Sequence, residues 1–272
     1  DDFLFANSTK IDPFTGQLYV NNSKGITVDL LARTATGKTV YDATADTLTG
    51  EETRTIADTL SQIEYIVGSK YDDTLRGDAE GNKLSGGEGN DTLEGRDGRD
   101  WLDGGAGNDW LIGSTDDYMI DGGDNTDTAD FSNNSNGLII TLNNSSNGSL
   151  GNVNGGSASN TIIKNVENVA GTQYGDSITG DNSDNLLIGG YNHNATINSR
   201  VSDDTIIGGA GSDVIVGDMQ VASTLAGVAY GGDDFLNGGS QNDIIYGDSA
   251  PVLSTSVLIV AADQSSETIV DT

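Results

Sequence analysis

Along much of the chain a single apolar residue recurs every nine positions, and the residues between successive apolar sites are rich in Gly, Asp and Asn. The units read GSKYDDTLR (68–76), GDAEGNKLS (77–85), GGEGNDTLE (86–94), GRDGRDWLD (95–103), GGAGNDWLI (104–112) and GSTDDYMID (113–121), and GGDNTDTAD (122–130) opens a further turn. The six leading positions suit a tight turn with positive φ, and the last three suit a very short strand. The apolar site holds Leu75, Leu84, Leu93, Leu102, Leu111 and Ile120. One inward residue per unit cannot form a core by itself. Parallel strands stacked on one another turn these residues into continuous ladders, so the pattern predicts a solenoid. A second array opens with GTQYGDSIT (171–179) and GDNSDNLLI (180–188). It continues less regularly through GGAGSDVIV (208–216) and GGSQNDIIY (238–246), with Ile178, Leu187, Ile206, Ile215, Leu236 and Ile245 as its inward residues.

Composition sharpens this picture. The 272 residues carry 42 acidic and 12 basic side chains, a formal net charge of −30, with 38 Gly, 2 Pro and no Cys. Hydrophobic residues make up 35% and aromatic residues 6%, a balance that ordinarily leaves a chain disordered. The recurring apolar sites point the other way, and a cation that neutralises the carboxylates reconciles the two. Calcium suits the task because it takes several oxygen ligands in flexible geometry, whereas magnesium holds its waters and demands a tighter octahedron. The acidity excludes nucleic acid as a partner, since phosphates would be repelled. No apolar run is long enough for a membrane span.

The nonapeptide closely resembles the GGxGxDxUx repeat of RTX proteins, the type I-secreted, hemolysin-type calcium-binding family. The resemblance covers residues 68–130 and 171–248. It implies an all-β fold, a parallel β-roll (β-solenoid) in which two units make one 18-residue coil. It also implies several calcium ions, each between neighbouring turns of one edge and held by turn carbonyls and the sixth-position Asp. On one edge of the first array those aspartates are Asp73, Asp91, Asp109 and Asp127, implying three ion positions. Their turns contribute Gly86, Gly87, Gly89, Gly104, Gly105, Gly107 and Gly122. The opposite edge carries Asn82, Asp100 and Tyr118. It is weaker, although Asp117 could substitute for Tyr118 after a small register change.

In the second array the implied ligands are Asp176, Asp204, Asp213, Asp234 and Asp243, with Gly208, Gly209, Gly211 and Gly238 at the turns. Here one edge is compact and the other holds every insertion: YNHNATINSRV (191–201), MQVASTLAGVAY (219–230) and SAPVLSTSVLIVAADQ (249–264). A decorated edge suits a binding surface, and equally suits loops drifting where the stack tolerates them.

Outside the arrays, IEYIVGS (63–69) aligns with VENVAGT (166–172), so the chain reads as two copies of a larger module. The expected organisation is an irregular β segment over 1–67, a first array over 68–132, a second irregular segment over 133–170, a second array over 171–250, and a truncated insertion or tail over 251–272. The irregular segments are expected to add wider coils to the solenoid, and both ends read as cut from a longer parent.

No catalytic constellation is present. His193 is the only His, which rules out a Ser–His–Asp triad or His-based zinc site within the chain. Paired acids such as Asp72/Asp73 and Asp203/Asp204 lie in repeat turns, where calcium ligation accounts for them better than glycosidase chemistry. Trp101 and Trp110 should point outward, either packing on a neighbouring coil or stacking on a sugar. The expected function is a non-enzymatic, calcium-binding structural and secretion module of a secreted or cell-surface protein, delivered by a type I secretion apparatus. An adhesive module with a glycan or surface ligand, using the insertions and the Trp pair, is the alternative; the tail of an exoenzyme is a third reading.

Overall fold

A computed structural model describes residues 63–143, 151–154, 160–192, 203–220 and 232–249. It also describes the strands or short segments at 3–5, 25–32, 34–39, 42–43, 46–47, 52–56 and 268–270. The described residues contain strands and turns and no helix. The chain divides into two compact units, Asp1–Asp127 and Thr128–Thr272. Both are all-β parallel β-rolls.

In the first unit each coil gives one strand to each of two parallel sheets. One sheet runs Phe3–Phe5, Tyr65–Val67, Lys83–Glu88, Trp101–Ala106 and Met119–Asp124. The other stacks Trp110–Ile112 on Thr92–Glu94, Thr74–Arg76 and Ile26–Asp29. Register follows the nonapeptide, with Leu75, Leu93 and Leu111 opposite one another, as are Ile66, Leu84, Leu102 and Ile120. All seven are fully buried. The ladders expected from the sequence therefore form the core between the sheets. Their flanking strand residues stay half-buried, as period-two alternation requires.

The second unit repeats the plan. Thr128–Asp130, Asn168–Ala170, Leu186–Asn192, Val214–Gln220 and Ile244–Ser249 form one parallel sheet. In the other, Ile139–Thr141, Ser177–Thr179, Thr205–Ala210 and Phe235–Ser240 pair in parallel. Its coils are longer, because the N–H of Asp176 reaches Asp204 28 residues on, and that of Asp204 reaches Asp234 30 residues on. The insertions lengthen the coil without disturbing register. Their bodies lie outside the described residues, as does His193. Only their first residues are seen, prolonging the strands at Leu186–Asn192, Val214–Gln220 and Ile244–Ser249.

The described strands of the irregular segments include antiparallel pairs. Ile139–Thr141, Gly151–Asn154 and Asn160–Lys164 make an antiparallel meander, and in the first unit Ile26–Asp29, Thr34–Thr39 and Glu52–Ile56 do the same. These stretches lack the nonapeptide that reverses the chain every nine residues. Within 251–272, Thr268–Val270 pairs antiparallel with Phe235–Asn237 and covers that exposed strand edge.

Candidate metal centres at the turns

The sixth-position residues are buried even though most carry charge. Asp73, Asp91, Asp100, Asp109, Asp127, Asp204, Asp213 and Asp234 are each at most 2% exposed, and Asp176 and Asp243 are also buried. Backbone donors hold them in columns. The Asp73 N–H donates to Asp91 Oδ1 (2.7 Å), the Asp91 N–H to Asp109 Oδ1 (2.7 Å) and the Asp109 N–H to Asp127 Oδ1 (2.8 Å). The second edge of this unit runs from the Asn82 N–H to Asp100 Oδ1 (2.7 Å). In the second unit the columns are Asp176–Asp204–Asp234 and Asn185–Asp213–Asp243, linked at 2.7–2.9 Å.

These bonds use one carboxylate oxygen. The other, Oδ2, is buried without a hydrogen-bond partner in Asp91, Asp100, Asp109, Asp204 and Asp213. A buried carboxylate oxygen left this way costs far more than a neutral one. Each faces a cradle. A Cβ built on Gly86 would land on Asp91 Oδ2 and the Gly104 carbonyl, one on Gly104 would land on Asp109 Oδ2 and the Gly122 carbonyl, and Gly189 and Gly208 repeat the arrangement with Asp204/Gly217 and Asp213/Gly238. Carboxylate and carbonyl oxygens thus converge at a spot kept open by glycine, and hard oxygen donors with no nitrogen or sulfur fit calcium. Each cradle is built mainly of carbonyls. Accordingly, among the described residues there is no group of three or more His, Cys, Asp or Glu side chains arranged as a metal site.

Electrostatics express the same vacancy of charge balance. Burial first, and neighbouring carboxylates second, push Asp91 up to about 8 and Asp204 to about 9, well above the ordinary carboxylate range. Burial likewise raises Asp100 and Asp213 to about 6, and raises Asp109.

Turn glycines do different jobs. Gly87, Gly105, Gly123, Gly209 and Gly239 occupy the second turn position with φ from +97 to +114°, a region L-residues avoid. Gly89, Gly107 and Gly211 do so at the fourth position. Arg96 is the exception: at φ +73 it takes the second-position geometry without being Gly. Its guanidinium grips both Asp29 oxygens at 2.8 Å and the Gly77 carbonyl at 2.6 Å. That pair holds the Asp29 carboxyl below its usual range.

Three residues carry more than their sequence positions suggested. Asp117 does replace Tyr118: it is buried, its Oδ1 faces the Asp100 N–H at 3.4 Å, and Tyr118 is exposed. Asp218, at the second position of an insertion-bearing turn, is buried and adds its charge to Asp204. Its place after Gly217, where turns such as Gly208–Gly209 and Gly238–Gly239 have a second Gly, was the available signal. Asn90, with Asp72 and Asn108, forms a fifth-position ladder in which each side-chain oxygen accepts the N–H of the following turn (2.8–3.1 Å). Trp101 stands on the outer face in register with Lys83 and Met119, with the Lys83 ammonium 4.2 Å above its ring and Tyr118 5.7 Å away. One face of the ring is therefore already covered.

Columns of buried carboxylates interleaved with glycine-opened carbonyl cradles define a cation-binding β-solenoid. The family pattern for the RTX calcium-binding nonapeptide repeat, in four copies, matches residues 59–93, 85–120, 94–129, 190–220 and 228–250. No curated protein matches the chain. The chain is an RTX-type repeat protein whose repeats bind several calcium ions, and the repeat family is a structural module, not a catalyst.

Proposed function

We propose that the chain is a calcium-gated folding module of a secreted or cell-surface protein. Calcium enters the cradles between stacked turns, held by Asp91, Asp100, Asp109, Asp127, Asp204, Asp213, Asp234 and Asp243 with the turn carbonyls. At low cytosolic calcium the −30 charge and the buried carboxylates keep the chain extended, a state that suits export through a type I apparatus. At external calcium, ion binding and folding are one event, since ions that bind only the folded state add their binding free energy to its stability.

The observation that carries this reading is the repeated buried Oδ2 without a partner, in both units. Scattering in EDTA and in millimolar calcium tests it. A chain of this length has a radius of gyration near ~58 Å unfolded and ~19 Å when compact. A large contraction on adding calcium supports gating; compact dimensions in EDTA sink it. The adhesive reading has less support, because Lys83 covers one face of Trp101.

A further inference from the structure

The turns without insertions fall into two classes that the repeat consensus does not separate. The insertion-bearing turns from Gly189 and Gly217 stand apart, since neither Gly190 nor Asp218 has positive φ while Asp204 keeps an Oδ2 without a hydrogen-bond partner. In the first class, the second position has positive φ: Gly87, Arg96, Gly105, Gly123, Gly209 and Gly239. In these turns Asp91, Asp100, Asp109 and Asp213 keep an Oδ2 without a donor. In the second class, the second-position N–H closes onto the side chain at the end of the turn. Ser69 donates to Asp73 Oδ2, Asp78 to Asn82 Oδ1 (2.8 Å), Ser114 to Asp117 Oδ2 (2.7 Å), Thr172 to Asp176 Oδ2 (2.6 Å) and Asp181 to Asn185 Oδ1 (2.9 Å). None of these five second-position residues has positive φ.

Three closed turns add a hydroxyl clasp. Ser69, Ser114 and Thr172 each also direct their hydroxyl to the same aspartate, at 3.1, 3.1 and 3.3 Å. Each hydroxyl oxygen in turn accepts the N–H two residues on, at 3.2, 3.2 and 2.9 Å. Oδ2, the oxygen that would face a cation in an open turn, already has the second-position N–H as its donor, and the hydroxyl lies on Oδ1.

Their positions are systematic. Four of the five closed turns end in Asp73, Asn82, Asp176 and Asn185, the first members of the four sixth-position columns. The fifth ends in Asp117, which follows Asn82 and Asp100 on the second edge of the first unit. The glycine cradles show which interval each one governs: a Cβ on Gly68 would meet Asp73 Oδ2 and the Gly86 carbonyl, and one on Gly171 would meet Asp176 Oδ2 and the Gly189 carbonyl. We propose that in turns without insertions the residue after the leading Gly decides whether the turn takes calcium, and that each column begins with a calcium-free, self-satisfied turn. Asp73 and Asp176, expected from the repeat to be ligands, are on this account clasped acceptors. The first edge then offers ion intervals at Asp91/Asp109 and Asp109/Asp127, one fewer than the three implied by four stacked aspartates. Two closed turns carry Asn in place of Asp, as expected where the group accepts N–H bonds and no ion needs its charge.

This inference rests on the calcium reading, and calcium counting by flow dialysis on the full chain separates the two. Asp73→Asn and Asp176→Asn copy the native Asn82 and Asn185 turns, so folding should survive. The saturated count should equal wild type, whereas Asp109→Asn should lose at least one ion. Ser69→Gly, which removes the hydroxyl and admits positive φ, should gain one ion. Loss of an ion in Asp73→Asn or Asp176→Asn, or no gain in Ser69→Gly, would overturn the assignment while leaving calcium binding intact. A wild-type chain that binds no calcium would overturn both.

Discussion

Asp109→Asn separates an ion ligand from a structural hydrogen-bond acceptor by the sign of its effect. Asp109 accepts the Asp91 N–H through Oδ1, while its buried Oδ2 has no partner and faces the Gly104 cradle and the Gly122 carbonyl. Asn keeps the first bond, replaces the bare oxygen with an NH₂ donor and removes the charge. With calcium at a hundred times its dissociation constant, losing one ion costs about 2.7 kcal/mol of stability. Without calcium, the same change relieves a buried unsatisfied group, a gain of about 1–3 kcal/mol. The two effects lie about 4–6 kcal/mol apart and have opposite signs. Urea unfolding followed by circular dichroism measures both. It would be run in saturating calcium and in EDTA with a stabilising osmolyte to bring the calcium-free chain into range. Destabilisation of similar size in both conditions would refute the reasoning, because it would make Asp109 a packing element with no cation to lose.

Other outcomes follow from the same geometry. The raised carboxylates, Asp91 near 8 and Asp204 near 9, mean that the calcium-free fold binds more protons than the unfolded chain between about pH 4 and pH 8. Its stability should therefore fall as pH rises across that window, and calcium should flatten the dependence because the ion replaces those protons; unfolding against pH with and without EDTA checks this. Leu93→Ala, in a fully buried ladder position between Leu75 and Leu111, should cost about 2–5 kcal/mol in saturating calcium. At Arg96, where φ is +73, Arg96→Gly should destabilise less than Arg96→Ala by about 1 kcal/mol, since both lose the Asp29 pair but only Gly relaxes the backbone; paired thermal melts decide the order.

The nine-residue spacing made the ladders legible: Leu75, Leu93 and Leu111 meet in the register the period demands, and the 18-residue recurrence of Asp73, Asp91, Asp109 and Asp127 appears as N–H-linked columns. Insertions in the second array obscured the period but not the register, because the first two end in a recovered Asp204 and Asp234. Less legible was what happens between arrays, where no nonapeptide sets the turns and strands pair antiparallel. The difference between Ser69 and Gly87 was also hidden. Both sit at the second position of a turn, but the Ser69 N–H donates to Asp73 Oδ2 whereas Gly87 has positive φ and Asp91 Oδ2 is left without a donor. Asp117 was visible as a possible substitute, while Asp218 was missed because a carboxylate at the second position lies outside the repeat consensus.

A calcium titration followed by far-UV circular dichroism, with magnesium as the control, tests the calcium-gated fold most directly. The account predicts a cooperative transition from coil to β-structure with calcium and none with magnesium at equal concentration. A spectrum already rich in β-structure in EDTA, or an equal response to magnesium, would contradict it.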